Sequence, residues 1–175
     1  MTASVGGDRA RVTPHLAALA WAVAVVSMAG FVAAWVLAAA NRGLLDFSAD
    51  YSADRFLVAY AAVGAVLASR RPANPIGWLL LGLGLVSAAR GLAGEYALHA
   101  LAGHARPASG VWAVWFVHWV LALLFPSGVL MFLLLLFPNG RLLTARWRTV
   151  GWLGAALTAC YVLATWLEAG AIKVG

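Results

Sequence analysis

Five apolar runs separated by short polar stretches set the pattern of this chain, at about residues 16–40, 55–69, 75–98, 111–137 and 150–167. Each is read as a membrane-crossing helix, because about 20 apolar residues in a helix cross a hydrocarbon core of about 30 Å. The first run ends on an A-x-A-like Ala38–Ala40. It is roughly twice as long as the apolar region of a secretory leader, so it is read as a retained span rather than a cleaved signal peptide. The second run, about 15 residues or some 22 Å of helix, is short. It needs help from Tyr51 and from snorkelling arginines to cross. Its Ala61, Gly64, Ala65 and Ala68 fall at three- and four-residue spacings, which suits close packing against a neighbouring helix. The fourth run is too long for one straight crossing, reaching roughly 40 Å. It is either one kinked helix or two pieces hinged at Pro126-Ser127-Gly128. Clustered arginines lie in the turns before residue 75 and after residue 137, so the number of crossings between its ends is odd, and one span kinked near Pro126 is expected.

Two turns organise the runs. In the first, SRRPANPIGWLL at 69–80, Arg70 and Arg71 supply the charge of a cytoplasmic loop and Pro72 stops the preceding helix. Asn74 is placed to cap the next helix, Pro75 occupies its first position, and Trp78 marks the membrane interface. In the second, FPNGRLLTARWR at 137–148, Pro138-Asn139-Gly140 reads as a turn. Arg141, Arg146 and Arg148, with Leu142, Leu143 and Trp147 among them, suit a short segment lying at the lipid headgroups.

Composition strengthens the membrane reading and adds an orientation. The 175 residues are 64% hydrophobic and 10% charged, with a mean hydropathy of +0.90, outside the range of soluble domains. A net charge of +6 would suggest nucleic acid in a soluble chain, but here the cations sit in short loops, and nucleic-acid binding is rejected. Arg9, Arg11, Arg70, Arg71, Arg141, Arg146 and Arg148 fall on one side, and Arg42, Arg55, Arg106 and Lys173 on the other. The amino terminus is therefore expected in the cytoplasm, and the chain in the plasma membrane as a multi-pass protein. The fold class is an all-α polytopic bundle. Residues 1–14 form a cytoplasmic tail, 15–169 the transmembrane domain and 170–175 a short tail. Cys160, without a second thiol, is read as a small packing residue.

Ionisable residues inside the apolar runs are few, and Arg90, Glu95, His99 and His118 gather in the outer halves of the third and fourth spans. Glu95 and His99, four residues apart, share a helix face and can hydrogen-bond or form a proton-sensitive pair. For Arg90 three readings stay open: a structural ion pair or snorkelling side chain, ligand or ion sensing, and transport. His118 among Trp115 and Trp119 suits a hydrogen bond across a helix interface. The stripe of Trp112, Trp115 and Trp119 suits packing and an interfacial belt better than a cation cage. The sequence shows no metal cluster, nucleophile–base pair or phosphate loop, and no cofactor is expected in this segment.

RRPANPIGWLL at 70–80 and LFPNGRLLTARWR at 136–148, taken together, resemble the two cytoplasmic loops of the membrane-embedded input region of actinobacterial sensor histidine kinases. The resemblance runs from about residue 16 to 167. It implies a sensor whose kinase part dimerises, binds ATP and passes phosphate to a response regulator. That part is not in this sequence: none of His15, His99, His104 and His118 is followed by an acid, and there is no glycine-rich ATP lid. An incomplete chain is the expectation, and a stand-alone small membrane protein, such as a transporter subunit or assembly partner, is the alternative.

Overall fold

A computed structural model describes residues 14–43, 57–102, 107–124, 129–136 and 145–169. These form six helices: α1 (Pro14–Ala40), α2 (Val58–Arg70), α3 (Pro75–Leu101), α4 (Ala108–Leu124), α5 (Val129–Leu136) and α6 (Ala145–Ala169). There is no strand among the described residues. The all-α reading therefore holds.

Helix ends follow local chemistry. Pro14 takes the first position of α1, where its missing N–H costs nothing. At the other end Gly43 adopts φ +94°, a conformation that a side chain would strain. Between α2 and α3 the chain reverses in four residues. The Arg71 N–H donates to Leu67 O at 2.8 Å, and the Asn74 N–H donates to Arg71 O at 2.9 Å. The Asn74 side chain then accepts from Ile76 N at 3.0 Å, with Pro75 next in line, as the motif predicts. Trp78 Nε1 donates to Pro72 O at 3.0 Å, which ties the first turn of α3 back to the loop.

α3 is the centre, with α1, α2, α4 and α5 all packing on it. Small residues make its contact with α2 a backbone contact. A β-carbon built on Gly64 would fall 2.6 Å from Leu81 N, one on Gly77 2.6 Å from Ala68 N, and one on Gly84 2.8 Å from Ala61 N. These pairs step in opposite directions along the two helices, so α2 and α3 are antiparallel. Ala61, Gly64, Ala65 and Ala68 are all buried in this seam, as their spacing predicts. α1 instead runs parallel to α3, with Gly30 against Ala88 and Ala34 against Gly91. α4 is antiparallel to α3, with Gly110 against Leu101 and Val120 clustered with Leu83. The carboxyl ends of α1 and α3 thus share one end of the bundle with the amino end of α4.

The interior is small and the exterior is large. α1 buries Ala20, Ala24, Ser27, Phe31 and Ala34 while exposing Trp21, Val25, Val26, Val32, Trp35 and Val36. Ser27 keeps its hydroxyl on its own helix, donating to Val23 O at 2.8 Å. A soluble protein puts its bulk inside. Here the driving force for packing is close contact, and the bulky apolar residues are left for an apolar surrounding.

Several boundaries differ from expectation. α1 and α3, 27 residues each, are long and apolar enough to cross a membrane. They are two such helices among the described residues, where five crossings were expected. α2, expected over 55–69, spans 13 residues, about 20 Å, with residues 55 and 56 outside the described set. In the run at 111–137 the described residues form α4, which starts earlier, at Ala108, and α5; the kink expected near Pro126 falls in 125–128, outside the described residues. α6 begins at Ala145 rather than 150, so Arg146, Trp147 and Arg148 belong to its first turn and are not a separate interfacial segment. Nothing between Ala145 and Val150 interrupts a helix, and extending one is easier than nucleating another. Cys160 is exposed beside Leu157 and Tyr161, so it is not a packing residue.

Replacing Gly64 or Gly84 with valine is expected to cost about 1–3 kcal/mol, because backbone cannot yield as a side chain can. Gly82→Ala, where a β-carbon meets nothing within 4 Å, should be neutral or stabilising by up to about 1 kcal/mol. Thermal unfolding followed by circular dichroism in detergent reads both, and an unchanged midpoint for Gly64→Val would show that the helices are further apart.

Candidate functional site

At the end shared by α1 and α3, three polar side chains meet. Asn41, the first residue beyond α1, is 5% exposed. Its Nδ2 donates to the Glu95 carboxylate Oε2 at 2.9 Å and to the Glu95 backbone O at 2.9 Å. With the amide nitrogen committed to two acceptors, Oδ1 is left to accept, and it lies 2.9 Å from His99 Nδ1. That bond requires the proton on Nδ1, an assignment that follows from the network.

The pair expected from its four-residue spacing is thus brought together, but through a third residue. The amide of Asn41 stands between carboxylate and imidazole, each within hydrogen-bond reach of one of its ends. Glu95 is half-buried and the His99 ring is exposed. The site therefore opens outwards through the histidine while its asparagine is sealed beneath. A second contact closes the same end, where Tyr96 Oη donates to Ser109 Oγ at 2.8 Å and links α3 to the first turn of α4.

The other predicted residues lie elsewhere. Arg90, half-buried, sits more than one turn below Glu95 on α3, with its Nε out of solvent contact. The buried Ser87 Oγ is one turn further down. His118 is exposed on α4, whereas its neighbours Phe116, Trp119 and Val120 pack towards Leu83. It does not reach across a helix interface, and this corrects the reading from sequence. The helix phase decides it, because Val120 at the buried centre turns His118 outwards.

The tryptophans pair with one another. Trp112 meets Trp115 edge-on at 5.6 Å, and Trp115 lies nearly parallel to Trp119 at 6.3 Å. Rings in line along one helix face form a packed stripe, not a cage. Arg70 and Arg71 are exposed at the opposite end, as are Trp147 and Arg148 on α6, while Pro138, Asn139, Gly140 and Arg141 lie outside the described residues. Among the described residues no three His, Cys, Asp or Glu side chains group as metal ligands.

Sequence reasoning missed Asn41, Tyr96 and Ser109. Asn41 had a signal: it is the polar residue that directly ends the long apolar run of α1. Asn41→Ala removes the bridge and should destabilise the fold by about 1–3 kcal/mol. In a double-mutant cycle with His99→Ala, a coupling of at least about 0.5 kcal/mol is expected in thermal unfolding. Strict additivity would mean that the bridge contributes nothing.

No known protein family, curated protein or solved structure matches the chain.

Proposed function

We propose that the chain is the membrane-embedded input region of a two-component sensor histidine kinase, located in the plasma membrane. The observation that carries this reading is the pair of turn motifs, RRPANPIGWLL and LFPNGRLLTARWR, each following an apolar run and carrying clustered arginines. The geometry of the first supports it. Arg70 and Arg71 face outwards for a headgroup layer or aqueous phase, while Asn74, Pro75 and Trp78 form the turn that holds α2 against α3.

In this reading α1, α2, α3, the pair α4 and α5, and α6 are five crossings, with the amino-terminal tail and both motifs in the cytoplasm. The alternating directions of α1 to α4 support that order. α2 is shorter than a full crossing, and snorkelling arginines or local thinning of the bilayer accommodate the difference. The stimulus acts at the opposite end, where Asn41, Glu95 and His99 join two helices that both run to the cytoplasmic side. A ligand or proton that alters this joint has a direct mechanical route to the turn at 71–74. Dimerisation and transfer to a response regulator are properties of the kinase part.

Two measurements test the reading. With Cys160→Ala as background, a cysteine at Ala73 should resist a membrane-impermeant maleimide in intact cells and react once the membrane is opened. Labelling from outside reverses the orientation. The polypeptide encoded through to its native stop codon should take up phosphate from ATP on a histidine. A stop directly after Gly175, or a continuation without a phosphoacceptor histidine and ATP lid, excludes the kinase.

A further inference from the structure

Between α5 and α6 lies an open groove of about 290 Å³, walled by Phe132 and Leu136 on one side and by Arg148, Gly151, Trp152 and Ala155 on the other. The α6 residues fall at i, i+3, i+4 and i+7, one helix face about 10 Å long. Among the described residues that line it, Arg148 alone is charged, and it stands at the amino-terminal end of the α6 wall. Arg146, two residues earlier, is also exposed, and the first turn of a helix adds its own attraction for negative charge. Gly151 leaves the floor open, since a β-carbon there would meet nothing within 4 Å. Trp152 is 74% exposed at the edge.

A trough that is apolar along its length and cationic at one end has the polarity of a single amphiphile with an anionic head. We propose that this groove binds one acyl chain of an anionic phospholipid, with the phosphate on Arg148 and the chain along Gly151, Trp152 and Ala155. A soluble anion uses Arg148 and leaves the trough empty. A zwitterionic lipid fills the trough but brings no net charge to the arginine. The anionic lipid uses both. The proposal rests on the membrane reading above, and the test separates the two.

The full chain is reconstituted in phosphatidylcholine vesicles, and flotation reports whether it enters the bilayer. Phosphatidylglycerol or phosphatidylcholine with brominated acyl chains is then titrated in, and the quenching that Trp152→Phe abolishes is taken as the groove signal. Phosphatidylglycerol should be preferred by about fivefold, the share of one interfacial arginine. Arg148→Gln, an exposed change that leaves the fold alone, should bring the preference close to one. Gly151→Leu, which fills the floor, should remove the Trp152 signal for both lipids, and inorganic phosphate should not compete. A chain that fails to float overturns the membrane reading and this proposal together. A chain that floats but shows equal quenching by both lipids, or an unchanged preference in Arg148→Gln, overturns the lipid site alone. Competition by inorganic phosphate reduces it to an anion site and overturns it also.

Discussion

Close approach of α2 and α3 is the constraint on which the rest of the bundle depends. Three glycines and three alanines remove the side-chain layer that ordinarily holds helices 8–10 Å apart, so backbone meets backbone at Gly64, Gly77 and Gly84. Dispersion is what such a contact has to offer, and its strength falls steeply with separation. With bulky residues such as Trp35 and Val36 turned to the outside, that contact is what the interior offers. The turn at 71–74 serves this contact, because a reversal of only four residues, capped by Asn74 and tied by Trp78, holds the two helices in register.

The opposite end is held by different chemistry. There α1 meets α3 through the amide of Asn41, and α3 meets α4 through Tyr96 and Ser109. Hydrogen bonds are directional and sensitive to what competes for them, whereas packed glycines are neither. The α2–α3 seam is therefore held by shape, whereas the contacts at the Asn41 end are polar bonds between helices, which a competing polar group would disturb first. Glu95 and His99 are the part of that end that faces outwards.

Much of this was legible in the sequence, and the failures have physical causes. The start of α3 was readable because Asn-Pro after a basic turn leaves few alternatives, and the α2 seam because small residues at three- and four-residue spacings have no other obvious use. Glu95 and His99 were readable as sharing a face. Asn41 carried a weaker signal, as the polar residue that ends an apolar run, and its partners follow only from α1 lying beside α3, a contact that no local pattern encodes. His118 failed for a related reason: the phase of α4 is set by Val120 and Phe116 packing towards Leu83, and a run apolar on all sides does not announce which side is inside. The start of α6 is hard to read because Arg146 and Arg148 suit an interfacial segment ahead of the apolar run at 150–167, and charge moves a helix out of hydrocarbon without stopping it being a helix.

The last helix divides its small and large side chains between two faces. α6 buries Gly154, Thr158 and Thr165 and turns Trp152, Leu153, Leu157 and Leu163 outwards. Thr158 donates to Gly154 O at 2.8 Å, and Thr165 to Tyr161 O and Val162 O at 3.1 and 2.9 Å, all within the same helix. Each of these hydroxyls gives a bond to its own helix backbone. Small polar side chains can then sit on the inner face of α6 without leaving a hydroxyl unsatisfied, while the large apolar ones stay outside, the arrangement that α1 uses with Ser27.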